Sequence, residues 1–456
     1  MPGGGTVGRH LVPAHARLPG GRAKGLLPPV SNRPFRVALV TTFFGAHRFG
    51  GDAAYVERLA AALLRRGHAV SVFYSPAAFG LLSGGRAALD YTPPPGLVLA
   101  PLRVAAPRLD LLWMHQSGGL GRQGRELARQ LADGRFDVIH YHNISLMGGA
   151  ALLRASPKQG VRVMTAHEHW LTCPTSVLWR LGREACTRAT CLRCTLHAGR
   201  PPQLWRRGGT LAAAVAQLDA LIFPSHHAQA SHADRGIRHP RTPVLPYFLP
   251  DDWIADQPPP PTPTDAPFRF IGRLVAEKGL QTLLPLFRAR PQCRLEVIGD
   301  GPFRPELEQL AAGAPNIRFR GAVSALRIRD LLPGTRALMV PSRFPETFGY
   351  VLAEAWSQGV PTLASDQGAL PEVTAGGGGW ICRSPAEFAH WIDHLHVHPA
   401  EARTAGLAGW TRTRRDFNEA AHLRAWEEIV REGESPPSLP PPPLPATSPV
   451  PPIRFS

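Results

Sequence analysis

Short apolar runs alternate along this chain with longer segments whose apolar residues recur at helical spacing. Val37-Ala38-Leu39-Val40 suits a parallel strand buried on both faces. Gly50-Gly51-Asp52 follows, then a helical pattern from Ala53 to Arg66, with Asp52 placed to cap its start and Gly67 to close its end. His68 to Phe73 reads as the next strand, completing the β-loop-α-β opening of a doubly wound domain. Further strands are expected at 138–140, 161–164 and 220–223. A proline-rich stretch over 255–267 predicts a stiff linker. The alternation then restarts, with strands expected at 268–271, 295–298, 317–319, 337–340 and 360–363. A last helix over 416–432 places Ala420, Leu423, Trp426 and Ile429 at helical spacing. The expected fold class is α/β, with two doubly wound, Rossmann-like domains facing a cleft.

Composition changes this picture first at the ends. Residues 1–35 hold five basic residues and no acid, and 435–452 holds ten prolines, so a basic N-terminal tail and a proline-rich tail over 433–456 are expected to be disordered. The formal net charge is +17, and the N-terminal five leave a surplus of twelve. Such a surplus points to polyanionic company: nucleotide phosphates, an anionic membrane face or nucleic acid. No nucleic-acid zinc finger, RNP-like strand or basic helix with interleaved aromatics occurs, so no nucleic-acid partner is expected. No apolar run of 18 residues is present to span a membrane, and the N-terminus lacks a secretory apolar region. The expectation is a cytoplasmic protein, with peripheral contact at the inner face of an anionic membrane.

The densest chemical signal runs from Pro341 to Ala355. A strand ends at Val340, a loop carries Glu346, and a helix is expected from about Phe348, with Glu354 two turns inside it. Free amides at such a helix start favour an anion, and Gly349 allows a phosphate close approach. Taken alone, the two acids fit a dipole-facing carboxylate and a half-exposed helix residue better than a binding pair. The second signal is Gly272-Arg273-Leu274-Val275-Ala276-Glu277-Lys278-Gly279, where Arg273 and Lys278 flank a turn that could hold a diphosphate. Both loops would leave the C-terminal ends of strands in one sheet, where open α/β folds bind ligands.

Together these motifs resemble the retaining GT-B glycosyltransferases of family 4, whose Gly-Arg-Leu…Glu-Lys-Gly loop and Glu-x7-Glu spacing match Gly272 to Gly279 and Glu346 to Glu354. The resemblance extends over about 36–432 and takes in Gly50-Gly51, Asp137 to His142, Ile298 to Pro302, Ser365 to Gly368 and Leu370-Pro371-Glu372. It implies an acceptor domain over 36–250, a linker over 251–267, a donor-nucleotide domain over 268–415 and a last helix over 416–432 that packs back on the first domain. Arg273 and Lys278 would bind the donor diphosphate, beside Gly50, Gly51 and the amides of Phe348, Gly349 and Tyr350. Glu354 would hold the ribose and Glu346 the donor sugar, and His167 would face that sugar from the first domain. His140 and His142 are further candidates for that place, or merely line the cleft. The implied reaction moves a hexosyl unit from a nucleotide-diphosphate sugar to a glycan or lipid-linked acceptor, with retention and without a metal or other cofactor in catalysis. The competing reading is a catalytically silent homologue that binds a sugar or membrane. One departure is Leu245 to Pro250, where the family commonly has Asn-Gly.

Four of the six cysteines crowd into one segment, Cys173, Cys186, Cys191 and Cys194, spaced C-x12-C-x4-C-x2-C. The segment resembles a cysteine-bearing insertion, over 170–206, found in a subgroup of the family. A structural zinc, free thiols and disulfides all remain open for it. Trp170, Trp179, Trp205 and several arginines of the insertion either pack it or face an acceptor at a membrane.

Overall fold

The computed structural model describes residues 33–48, 50–83, 88 and 90–434. The tails expected to be disordered, apart from the few residues nearest the fold, lie outside the described residues. Eight strands occupy the first half: β1 (Arg36–Val40), β2 (Ala69–Tyr74), β3 (Val98–Pro101), β4 (Val138–Tyr141), β5 (Val161–Thr165), β6 (Trp179–Arg180), β7 (Glu184–Ala185) and β8 (Ala220–Ile222). Six follow: β9 (Phe268–Ile271), β10 (Leu295–Ile298), β11 (Ile317–Gly321), β12 (Leu338–Val340), β13 (Thr362–Ser365) and β14 (Gly379–Cys382). The first sheet has the order β3-β2-β1-β4-β5-β8 and the second β11-β10-β9-β12-β13-β14. All pairs within both are parallel. In each sheet the chain reverses direction beside its first strand, which opens a crevice at the strands' C-terminal ends. The α/β GT-B expectation is met.

Several element boundaries differ from those expected. Strands β3 and β14 were not anticipated. Both are edge strands with little full burial, so neither shows the apolar run that marked the central ones. The first helix spans Gly50–Arg65, so Asp52 sits in its first turn and does not cap it. Gly67 does close that helix, with φ +92° and its amide on the Leu64 carbonyl. The helix after Gly349 begins at Tyr350 and ends at Ser357, which puts Glu354 only about one turn in. Near the C-terminus two helices occur, Pro399–Asp416 and Glu419–Glu434.

Leu423, Trp426 and Ile429 of the last helix are buried. Its Glu419 pairs with Arg65, the last residue of Gly50–Arg65, and its Glu427 with Arg66 just beyond, and Trp426 Nε1 donates to His140 Nδ1 at 3.1 Å. One apolar core runs without interruption from Val37 and Leu39 under the first sheet, through Tyr247, Phe248 and Trp253, to Phe348 and Trp356 under the second. The Leu245 to Pro250 segment is thus a packed joint. Tyr350 Oη donates to the Phe248 carbonyl at 2.6 Å, and the Leu249 amide donates to Phe417.

Candidate active site

Glycine decides how the loops at this end of the second sheet fit together. The loop after β9 and the loop after β12 touch at Gly279, where a Cβ would lie 1.9 Å from the Pro341 carbonyl oxygen. Gly279 also has φ +78°, so only glycine suits it. Gly368, after β13, lies so close to the Glu346 backbone that a Cβ would fall 2.3 Å from it. The Ala369 amide then donates to the Glu346 carbonyl at 2.8 Å. Glu346 is thereby held by three loops of one sheet. Its Oε1 accepts from Lys278 Nζ at 2.7 Å and from Ser342 Oγ at 2.6 Å. Lys278 also lies over the Phe344 ring. Glu346 and Lys278, singled out for separate tasks, are direct partners.

Glu354 is engaged elsewhere. Arg58, from the Gly50–Arg65 helix, donates through Nη2 to Glu354 Oε1 at 2.8 Å across the cleft. Its guanidinium stacks between Trp253 and Tyr350 at 4.3 and 4.5 Å. Phe348 is buried against Tyr247 and Phe417, so only its backbone is available to a ligand. Gly349 has φ +83°, and Tyr350 uses its hydroxyl in the joint. Gly50 and Gly51 are exposed at the first helix turn, and nothing lies within 4 Å of a Cβ built on Gly51.

His167 is buried, and both ring nitrogens are occupied. Nε2 lies 2.9 Å from His142 Nδ1, and Nδ1 lies 2.6 Å from the Tyr247 hydroxyl. Burial pushes its pKa down to about 3. What His167 presents to the other half is its carbonyl, which accepts from Thr347 Oγ1 at 2.7 Å. His140 is fully buried, with Nδ1 accepting from Trp426, so its Nε2 donates to Thr165 Oγ1 at 2.8 Å. His140 packs the core and does not reach the cleft.

Three polar residues make contacts that the sequence reading did not foresee. Asn143 Nδ2 donates to Asp52 Oδ2 and Glu168 Oε1, each at 3.3 Å. Its Oδ1 accepts from Ser145 Oγ at 2.8 Å, which fixes the orientation of the amide. Burial and then the Asp52 charge push the Glu168 pKa up to about 8. Burial also raises Asp52, and Arg273 from the opposite half lowers both carboxyls. Two first-half carboxyls therefore lie within electrostatic reach of Arg273. Asp52 was visible only as a helix-start residue and Glu168 only as the neighbour of His167. Arg58 did carry a signal, as a charge among the apolar residues Tyr55, Val56, Leu59 and Ala62 of one helix.

The cysteine-bearing segment, with His169 just before it, reaches the same place. Arg343 stacks on Trp179 and donates to the Arg183 carbonyl, and His169 Nε2 donates to the Pro345 carbonyl at 3.1 Å. The segment thus props the loop that carries Glu346. All six cysteines are free thiols. Cys173, Cys186, Cys191 and Cys194 are near enough to affect one another, and burial with those neighbours pushes Cys191 up to about 11. Among the described residues no group of three or more His, Cys, Asp or Glu is disposed to hold a metal ion, so the structure shows no zinc site at these cysteines, one of the three states left open for them.

Residues 49–252 match the family described as Glycosyltransferase Family 4, and residues 267–397 match Glycosyl transferases group 1. The chain is 33% identical over 103 residues to the sulfoquinovosyl transferase SQD2 of Arabidopsis thaliana, covering 23% of this chain and 20% of that protein. It is 32% identical over 148 residues to a GDP-mannose-dependent alpha-(1-6)-phosphatidylinositol dimannoside mannosyltransferase of Mycobacterium tuberculosis, covering 31% of this chain and 38% of that one. The chain thus matches well under half the length of these curated relatives. Among solved structures, sucrose-phosphate synthase from Thermosynechococcus elongatus superposes with a TM-score of 0.65 at 19% identity, over 88% of this chain and 99% of the other. Anabaena Alr3699/HepE in complex with UDP and glucose superposes with a TM-score of 0.62 at 16% identity, over 87% and 99%. Two parallel sheets, interlocked loops holding Glu346 and Lys278, and two family matches that together span most of the chain lead to one assignment: it belongs to the family 4, group 1 glycosyltransferases.

Proposed function

We propose that this protein transfers a hexosyl unit from a nucleotide-diphosphate sugar to a glycan or lipid-linked acceptor, at the cytoplasmic face of an anionic membrane. Transfer proceeds with retention of the anomeric configuration and without a metal. The observation that carries this reading is the Lys278–Glu346 pair, 2.7 Å apart on two loops that leave adjacent strands of one sheet. Lys278 has three N–H donors and can serve Glu346 and a phosphate together. Arg273 adds a planar fork for the diphosphate, and the open backbone at Gly50-Gly51 admits it from the other side. Glu346 then accepts from donor-sugar hydroxyls, and Glu354, oriented by Arg58, accepts from the ribose.

The cations offset charge that builds on the leaving diphosphate, which is where electrostatic stabilisation acts most strongly. In front-face substitution the leaving phosphate takes the acceptor proton, so no carboxylate nucleophile is required. Asp52 and Glu168, on the first half, serve as hydrogen-bond acceptors for an incoming hydroxyl. His167 stays neutral and holds its loop through Thr347. The Anabaena protein, described with UDP and glucose, supports a nucleotide-sugar donor. The mycobacterial relative, named for GDP-mannose and a phosphatidylinositol mannoside, supports a lipid-linked acceptor.

The test is thermal shift against a panel of nucleotide diphosphates, repeated on Arg273→Ala, followed by turnover of the matching nucleotide sugar by Glu346→Ala. Stabilisation by one nucleotide that Arg273→Ala abolishes, with turnover lost in folded Glu346→Ala, is the expected result. A folded protein that no nucleotide stabilises would overturn the donor site. Donor binding without any turnover would favour a silent homologue.

A further inference from the structure

Helix Pro107–Ser117 turns an apolar stripe outward. Leu109, Leu112 and Trp113 lie at i, i+3 and i+4, one face of the helix, and Leu109 is 70% exposed and Trp113 50%. The opposite face is the packed one, with Leu111 and Met114 buried. The insertion repeats the pattern. Its helix Cys191–His197 exposes Leu192 and Leu196 one turn apart, and Leu204 is 58% exposed farther along.

These two segments are one surface. Trp205 Nε1 donates to the His115 carbonyl at 3.0 Å, and Gln116 Nε2 donates to the Pro201 carbonyl. The Trp205 ring sits against Gly118, where a Cβ would come within 2.5 Å of it. Leu192 and Leu204 also line a cavity of about 250 Å³ whose wall includes Leu171 and Ile237. Single exposed leucines are ordinary on a protein surface, whereas a joined set of five leucines and a tryptophan is not.

Charge selects the occupant. Over 91–125 and 185–218 the chain has nine arginines and a single acid, Asp110. Asp110 is buried and spent on the amides of Arg122 and Gln123, so it contributes no surface carboxylate. Arg108, Arg193, Arg200 and Arg207 are exposed beside the apolar residues. A second copy of the chain would bring this arginine collar against itself, and like charges oppose that pairing. An anionic bilayer satisfies both components: leucine and tryptophan enter the headgroup boundary while guanidiniums pair with phosphates above them.

We propose that the surface formed by helix Pro107–Ser117 and the insertion around Leu192, Leu196 and Leu204 is a docking face for an anionic lipid bilayer. The proposal deepens the functional reading above, which places the acceptor at a membrane, and assigns the contact to named residues.

The experiment is co-sedimentation of the full chain with phosphatidylcholine vesicles, with and without phosphatidylglycerol. It is repeated with the Leu112→Asp/Trp113→Asp and Leu192→Asp/Leu196→Asp double variants, with folding checked by melting. Binding to phosphatidylglycerol vesicles that falls with added salt, and falls at least about tenfold in both variants, is the expected result. Nucleotide-induced thermal shift should stay unchanged in the variants, which separates this face from the donor site. If the wild type binds anionic vesicles and both variants bind equally well, the face is wrong while the membrane reading stands. If the wild type binds no vesicle, both fail, although a nucleotide shift would leave the donor reading intact. A dimer in sedimentation velocity that the substitutions dissolve, without vesicle binding, would give the surface to self-association instead.

Discussion

Burial and the nearby Asp52 carboxyl keep Glu168 protonated up to about pH 8 in the folded chain. In the unfolded chain it ionises near its ordinary value, so across the interval between the two the folded form binds the extra proton. Stability from this group is therefore full below the unfolded pKa and drains away as pH rises through the folded one. Glu168→Gln keeps the Asn143 contact geometry but cannot ionise. Its stability relative to wild type is expected to improve from about pH 5 to about pH 9, by roughly 1–3 kcal/mol at the upper end. Melting curves at both pH values check this, and a difference that does not change with pH would show that Glu168 ionises normally. Lys278 invites a complementary measurement. Lys278→Met leaves Glu346 hydrogen-bonded to Ser342 but without its cation. Turnover of the nucleotide sugar is expected to fall about 100-fold, with a weakened nucleotide-induced thermal shift. A variant with wild-type turnover would remove Lys278 from the donor site.

At the level of elements, the loops after β9 and β12 act as one unit because Gly279 allows them to touch. Gly279→Ala would place a methyl group 1.9 Å from a carbonyl oxygen, with backbone and not a flexible side chain to displace. The substitution is expected to cost more than about 2 kcal/mol and to abolish the nucleotide-induced thermal shift. Retained binding would mean that the loops position their side chains independently. The same junction explains what the sequence made legible. The central strands were readable as runs buried on both faces, and the glycine and charge spacing of 272–279 and 341–354 marked the two loops that interlock. Edge strands β3 and β14 lacked such runs. Contacts between halves were hidden for a different reason. Asn143 meets Asp52 from 91 residues away, and Arg58 meets Glu354 from 296 away, so no local pattern encodes either pairing. His167 illustrates the same limit: its place after β5 was readable, but the closure of both ring nitrogens by His142 and Tyr247 was not.

Over the whole molecule, the seam between the two halves is made largely of neutral histidines, backbone groups and one buried ion pair. Arg58 and Glu354 are the charged tie, and breaking it by Arg58→Met is expected to cost roughly 3 kcal/mol because the largely buried Glu354 loses its cation. Around that tie, His169 donates to the Pro345 carbonyl, and the His226 and His227 amides donate to Glu372 of the other half. His422 donates from Nδ1 to the Pro246 carbonyl in the joint, so its Nε2 must accept from the Tyr55 hydroxyl. Protonating that ring would turn an acceptor into a donor facing a hydroxyl in an apolar pocket. Burial accordingly depresses His140, His142, His167, His169 and His422, the last three to about 3. A histidine depressed in the folded state contributes stability above its unfolded pKa that is lost as pH falls below it. Each such ring removes up to about 1.4 kcal/mol per pH unit below about 6.5. Paired carboxylates such as Glu427 and Asp416, held low by their arginines, begin to matter only as pH falls into the ordinary carboxyl range. The histidine loss should therefore appear first, between about pH 6.5 and 4.5, before the carboxylates titrate. His422→Gln, which keeps a donor and an acceptor without a titrating ring, is expected to flatten that part of the stability curve by about one ring's share. Denaturant titrations at three pH values across the window measure the slope. An unchanged slope would mean that His422 takes up its proton without disturbing the joint.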